Sequence, residues 1–170
     1  NNIAAIYFFD TFDLTLATAG LIAGLFGLMN IFARTLGGVF SDLFAKQAGL
    51  KGRVRWLFIA LICEGIALIA FSQMHVLSMA IGIMLVFSLF VQMAEGATYG
   101  VVPFINKKAL GAVAGIVGAG GNIGAVSAAF LFRNESLSYQ QGLFYLGITV
   151  LLLASCVLVV RFSDATEAEE

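Results

Sequence analysis

The feature that most constrains this chain is a succession of apolar stretches, each long enough to cross a lipid bilayer. A membrane-spanning helix needs roughly 20 mostly apolar residues. Five windows meet that requirement: 14–44, 56–74, 76–105, 111–132 and 142–162. Residues 1–9 have the character of the end of a further span. Hydrophobic residues make up 61% of the sequence and charged residues 11%, so the sequence predicts an all-α membrane protein.

The charged residues between the windows predict the orientation of the spans. Basic residues concentrate in a loop at 45–55, at Lys107 and Lys108, and at Arg161, which the number of crossings places on one side of the membrane. The positive-inside rule puts that side in the cytoplasm. The acidic segment 163–170 is then a disordered cytoplasmic tail, and we expect a protein of the plasma or inner membrane. Nine Lys and Arg against ten Asp and Glu leave no basic excess for a nucleic-acid partner.

A glycine-rich stretch, GAVAGIVGAGGNIGAV at 111–126, has six glycines in sixteen positions. A dinucleotide-binding turn needs Gly-x-Gly-x-x-Gly after a strand, but here the third glycine comes one residue late and no βαβ unit surrounds it. The stretch therefore predicts a helix. Its small residues either let helices approach closely in lipid or line a space in which a buried amide, Asn122, holds a small polar ligand.

Three charged residues fall inside the predicted spans: Arg34, Glu64 and Glu95. Each lies eight residues from a marker of the cytoplasmic end of its span, respectively Asp42, Trp56 and Pro103. Because eight helical residues rise about 12 Å, all three should lie at a similar depth. That permits an ion pair between Arg34 and either glutamate. The alternative roles are charge balance or proton coupling for the glutamates and anion binding for Arg34.

Arg34 suits a small planar anion, because the guanidinium stays charged and offers two parallel hydrogen bonds. A guanidinium neutralised by a carboxylate and sealed away from any cavity would contradict this interpretation. The segment after Arg34, GGVFSDLFAKQAGLKGR, predicts a connection between two helices. Its Asp42 either binds the positive N-terminus of the next helix or a basic loop residue, or it takes part in gating.

Those residues carry a family resemblance. The segment with Gly38, Asp42 and Arg53 resembles the loop motif of the major facilitator superfamily. The segments FARTLGG, VQMAEGATYGVVPFINKKALGAVAG and GIVGAGGNIGA are similar to the nitrate/nitrite porter family of that superfamily. The sequence departs from the loop motif after Asp42, where Leu-Phe-Ala-Lys replaces an immediate basic residue. The motif therefore does not assign the residues that form the gating salt bridges.

The resemblance implies a twelve-helix porter, of which this chain would be the C-terminal six-helix half with a truncated first helix. Arg34 would be the substrate-binding arginine of helix eight. The glycine signature of helix eleven would be formed by Gly118, Gly120, Gly121, Asn122 and Gly124.

The implied activity is transport of nitrate or nitrite by alternating access, with protons as the coupling ion and with no enzymatic step or cofactor. The implied partners are the lipid bilayer and an N-terminal half that is absent here. A porter for another small solute and a non-transporting membrane scaffold remain the alternatives.

Overall fold

The computed structural model describes residues 2–133, 137–160 and 162. Five helices and one 3-10 turn follow each other: α1 (Asn2–Phe12), α2 (Leu16–Ser72), α3 (Leu77–Ile105), the turn Lys107–Ala109, α4 (Leu110–Phe132) and α5 (Tyr139–Val157). These ranges contain no strand, so the all-α expectation is confirmed. Arg161 and the predicted tail 163–170 lie outside the described residues.

A sharp break divides α2 into two helical arms. Ala48 (φ −147°, ψ 22°) and Gly49 (φ 57°, ψ −149°) separate residues 16–47, here called arm a, from residues 50–72, called arm b. The positive φ of Gly49 is a conformation that glycine adopts without steric cost. The predicted loop at 45–55 is therefore helical apart from these two residues. Hydropathy marks the residues that lie in lipid, whereas both arms continue as helices beyond their apolar parts.

The two arms fold back on each other and pack antiparallel. The indole nitrogen of Trp56 donates a hydrogen bond to the carbonyl of Gly37 at 3.1 Å. The ring of Trp56 also stacks on Phe40, with centroids 4.9 Å apart. Closer to the break, Gly52 lies against the backbone of Phe44, where a Cβ would overlap it. The reversal at Ala48 and Gly49 thus forms a tight helical hairpin.

Arm a and α3 run parallel. At one end the hydroxyl of Ser88 donates to the carbonyl of Phe26 at 3.1 Å. At the other end the Ser41 hydroxyl lies 3.0 Å from the position that a Cβ on Gly100 would take. Residues of arm a therefore lie level with residues of α3 about sixty positions later.

The backbones of arm a and α3 touch where the two helices cross. A Cβ on Gly37 would overlap the backbone of Met93, and a Cβ on Gly96 would overlap the carbonyl of Arg34. Helices in lipid associate through this kind of close packing of small residues. The buried face of arm a at the crossing is correspondingly small: Ala33, Gly37 and Ser41.

α5 covers the outer side of arm b. Its first turn carries a capping box, in which Ser138 and Gln141 satisfy each other's backbone amides, so the helix starts before the predicted window 142–162 and ends at Val157. Gly65 of arm b and Gly147 of α5 lie at the contact between them. α1 packs over the far end of the bundle through the buried Tyr7.

Four helices, α2 to α5, are long and apolar enough to cross a membrane, counting only the described part of the chain. The chain is accordingly an integral membrane protein. α4 differs from the others because none of its residues is buried. It lies at the edge of the bundle and leaves most of its surface open.

Candidate functional site

Arg34 lies on arm a and forms an ion pair with Glu95 of α3. The side chain of Arg34 is 46% exposed and that of Glu95 is 41% exposed. The close helix crossing fixes this geometry, because Gly96 brings the α3 backbone against the carbonyl of Arg34 itself. Arg34 is therefore neutralised by a carboxylate but not sealed off. Only the first of the two conditions that would contradict an anion site is met.

The face that carries this pair continues along α3 to α4. Tyr99 follows Glu95 by one helical turn and is 43% exposed. Its hydroxyl oxygen lies 3.7 Å from the position that a Cβ on Gly118 would take. Since α4 runs back along α3, Asn122, one turn beyond Gly118, comes level with Glu95. A cation, a carboxylate, a phenol and an amide thus share one open face of the bundle.

The other signature glycines border open space. A Cβ added to Gly120, Gly121 or Gly124 would have no heavy atom within 4 Å, leaving aside the helix's own backbone. Among the described residues, these glycines therefore do not serve close helix packing, which was one of the two predicted roles. Asn122 is exposed among the described residues, so the buried amide stays a prediction for the complete protein. The cause of this exposure is that no described element covers this side of α4.

Glu64 differs from Glu95 in its surroundings. It lies on arm b, is 8% exposed and has no ion pair with a described residue. The depth argument allowed Arg34 to pair with either glutamate. The structure pairs Arg34 with Glu95 and leaves Glu64 inside the bundle.

A second ion pair joins the arms of α2 near the break. The guanidinium of Arg53 donates to the carboxylate of Asp42 at 2.5 Å, and it also lies over the ring of Phe104, 4.8 Å from the centroid. Asp42 thus binds a basic residue of the hairpin, which was one of its two predicted binding partners. Gly38 lies one turn before Asp42 and borders open space.

Removing the two partners of this pair should destabilise the protein to different extents. The Asp42 side chain is 65% exposed, so Asp42→Asn should lower the free energy of unfolding by less than about 1 kcal/mol, as exposed ion pairs do. Arg53→Ala should lower it further, because it also loses the contact with Phe104. Thermal unfolding of the complete protein in detergent measures both. The exposed Arg55, changed to Ala, is the matched control, and equal losses for all three variants would contradict the prediction.

Sequence reasoning missed Tyr99 and the crossing glycines. Tyr99 stands four residues after Glu95, which places both on one helical face. Gly96 and Gly100 form a Gly-x-x-x-Gly pattern, which is typical of close helix contacts in membranes. Both signals were present in the sequence.

The sequence of this chain matches several known proteins. No protein-family model matches the chain, and no solved structure matches it significantly. High affinity nitrate transporter 2.5 of Arabidopsis thaliana is 42% identical over 163 residues, covering 95% of this chain and 32% of that protein. Nitrate/nitrite transporter NrtP of Picosynechococcus is 36% identical over 125 residues, covering 71% of this chain and 22% of that protein.

A relative with a different cargo in its name also matches. Elsinochrome transporter 1 of Elsinoe fawcettii is 32% identical over 163 residues, covering 92% of this chain and 32% of that protein. The chain spans about a third of the length of most of these relatives. Over the part that it covers, the chain belongs with the high-affinity nitrate transporters, in the nitrate/nitrite porter family of the major facilitator superfamily.

Proposed function

We propose that the complete protein transports nitrate or nitrite across a membrane and that Arg34 binds the anion. The observation that carries this proposal is the half-exposed guanidinium of Arg34 on a face shared with Tyr99 and the glycine-rich helix. Relatives named as nitrate transporters cover almost the whole chain, which supports the choice of anion.

The chemistry of the site favours a small planar oxyanion. The guanidinium offers two parallel donors that match two oxygens of nitrate or nitrite. In a water-poor site the attraction between the cation and the anion is stronger than in water. Asn122 supplies an amide donor on α4, and the absent side chains of Gly118, Gly120, Gly121 and Gly124 leave room beside it.

The proposed mechanism is alternating access. The described helices form the C-terminal half of the porter, and the open faces of arm a, α3 and α4 turn toward the other half across a central site. The pair between Asp42 and Arg53 lies at the cytoplasmic end, where it opens and closes access. Proton entry drives uptake of the anion across the plasma or inner membrane, and Glu64 and Glu95 are the intramembrane carboxyl groups of the described chain.

A binding experiment with the purified complete protein tests the substrate. Nitrate should raise the unfolding temperature in a concentration-dependent way, because a ligand that binds only the folded state stabilises it. Nitrite and chlorate should compete with labelled nitrate in liposomes, whereas sulfate should not. The nitrate effect should disappear in Arg34→Ala. Stabilisation that persists in Arg34→Ala would contradict the proposed role of Arg34.

The match to Elsinochrome transporter 1 favours a second candidate, a porter of the same superfamily for another small solute. Under that alternative neither nitrate nor nitrite stabilises the protein or enters liposomes. A non-transporting scaffold is distinguished by the absence of any uptake or anion effect.

A further inference from the structure

We infer that Glu95 is the group that nitrate displaces from Arg34 and that this displacement loads Glu95 with the co-transported proton. The inference rests on the proposed function and assigns a coupling residue to the same site. It is carried by the ion pair between Arg34 and Glu95, which occupies the guanidinium that the anion needs.

The free-energy cost of an uncompensated charge in a low-dielectric site links the binding of nitrate to the protonation of Glu95. In the empty site the Arg34 cation and the Glu95 carboxylate neutralise each other. If nitrate takes the guanidinium while Glu95 stays ionised, a net negative charge remains in a medium that solvates it poorly. When one proton binds a carboxylate oxygen of Glu95, the site contains Arg34 with nitrate and a neutral carboxylic acid. One anion and one proton then enter together, and no further reactant is needed.

No other described charged group takes this role. On arm a, Asp42 lies two turns away and binds Arg53. Arm b contributes Glu64, which is buried and forms no ion pair with Arg34. Tyr99 is the other ionisable group of α3 near the pair. The described parts of α4 and α5 contain no Asp, Glu, Lys, Arg or His, and Asp10 and Asp13 lie at the α1 end.

The position of Glu95 suits reversible protonation. Its side chain is 41% exposed, and it lies on the face on which the proposed anion site opens. Once protonated, the carboxyl group can donate a hydrogen bond, and the Tyr99 hydroxyl one turn away lies on the same face. Glu64 is 8% exposed and has no comparable access.

The test measures nitrate affinity against pH in the complete protein. In the wild type, nitrate binding should weaken by up to about tenfold for each unit rise over the pH range in which one proton binds together with each nitrate. Glu95→Gln keeps the size of the side chain but remains neutral, so its nitrate affinity should be independent of pH over that range. In liposomes, Glu95→Gln should also lose nitrate accumulation driven by a proton gradient.

Two further variants locate the effect. Asp13→Asn, at the α1 end, is the matched control and should keep the wild-type pH dependence. If Glu64→Gln removes the pH dependence and Glu95→Gln retains it, the inference is wrong. It is also wrong if Glu95→Gln still accumulates nitrate in response to a proton gradient.

A wild-type measurement covers the case in which Glu95→Gln fails to fold. Nitrate added to weakly buffered wild-type protein should cause uptake of protons, approaching one per bound nitrate, which a pH dye records. Nitrate binding without proton uptake at any pH overturns the inference and leaves the proposed function intact. Absence of nitrate binding in the wild type overturns the proposed function itself.

Discussion

Arg34→Lys in the complete protein should reduce nitrate uptake by about tenfold or more while the protein still inserts into the membrane. Lysine keeps the positive charge but lacks the planar pair of donors. Loss of one hydrogen bond between charged groups costs about 1.5–3 kcal/mol, and 1.4 kcal/mol corresponds to a factor of ten. Initial rates of labelled nitrate uptake, normalised to the amount of protein in the membrane, measure the effect.

The control for this experiment is Arg133→Lys. Arg133 follows α4 as its C-terminal capping residue and lies over the ring of Phe130, outside the proposed site. Its substitution by lysine should leave uptake close to the wild-type rate. Wild-type uptake by Arg34→Lys would show that the forked geometry of the side chain is not needed.

Gly96→Ala should destabilise the folded protein by about 1–3 kcal/mol, as overpacked cores do. The added methyl group would overlap the carbonyl of Arg34. A backbone atom cannot rotate away as a side chain does, so arm a and α3 must separate. Because this separation shifts Arg34 relative to Glu95, the substitution should lower both the unfolding temperature and the rate of nitrate uptake.

Gly82→Ala is the matched control in the same helix. A Cβ added to Gly82 would have no heavy atom within 4 Å, apart from the helix's own backbone, and alanine favours helix over glycine by up to about 1 kcal/mol. Its unfolding temperature should therefore equal or exceed that of the wild type. If both substitutions had the same effect, the contact at Gly96 would not be the cause of the loss.

The helical membrane fold was predictable because burial in lipid selects long apolar stretches, and these are visible in the sequence. The shape of the connection at 45–55 was not. Its polar residues mark the edge of the hydrocarbon region, but they are compatible with helix, and only the break at Ala48 and Gly49 interrupts it. A glycine in a polar segment does not by itself reveal whether two residues or eleven leave the helix.

The sequence predicted the level of the charged residues along their helices but not the direction in which each side chain faces. Counting residues predicted one level for Arg34, Glu64 and Glu95, and the ion pair agrees with this for Arg34 and Glu95. The choice of partner depends on how each helix is rotated about its axis. Gly96 and Gly37 fix that rotation through contacts with residues far away in sequence. The surroundings of Asn122 depend on whatever faces α4, and the sequence of α4 alone does not specify it.

The reversal at Ala48 and Gly49 has a mechanical consequence. Two residues provide no slack between the arms, and the Trp56 indole ties arm b to Gly37 of arm a in the part of the hairpin nearer the break. A tilt of arm a must therefore carry arm b with it as a single rigid unit, and this unit includes both Arg34 and Asp42. Extra flexible residues at the break should weaken this coupling, and the arms would then be joined only by contacts such as the Trp56 hydrogen bond and the Asp42–Arg53 pair.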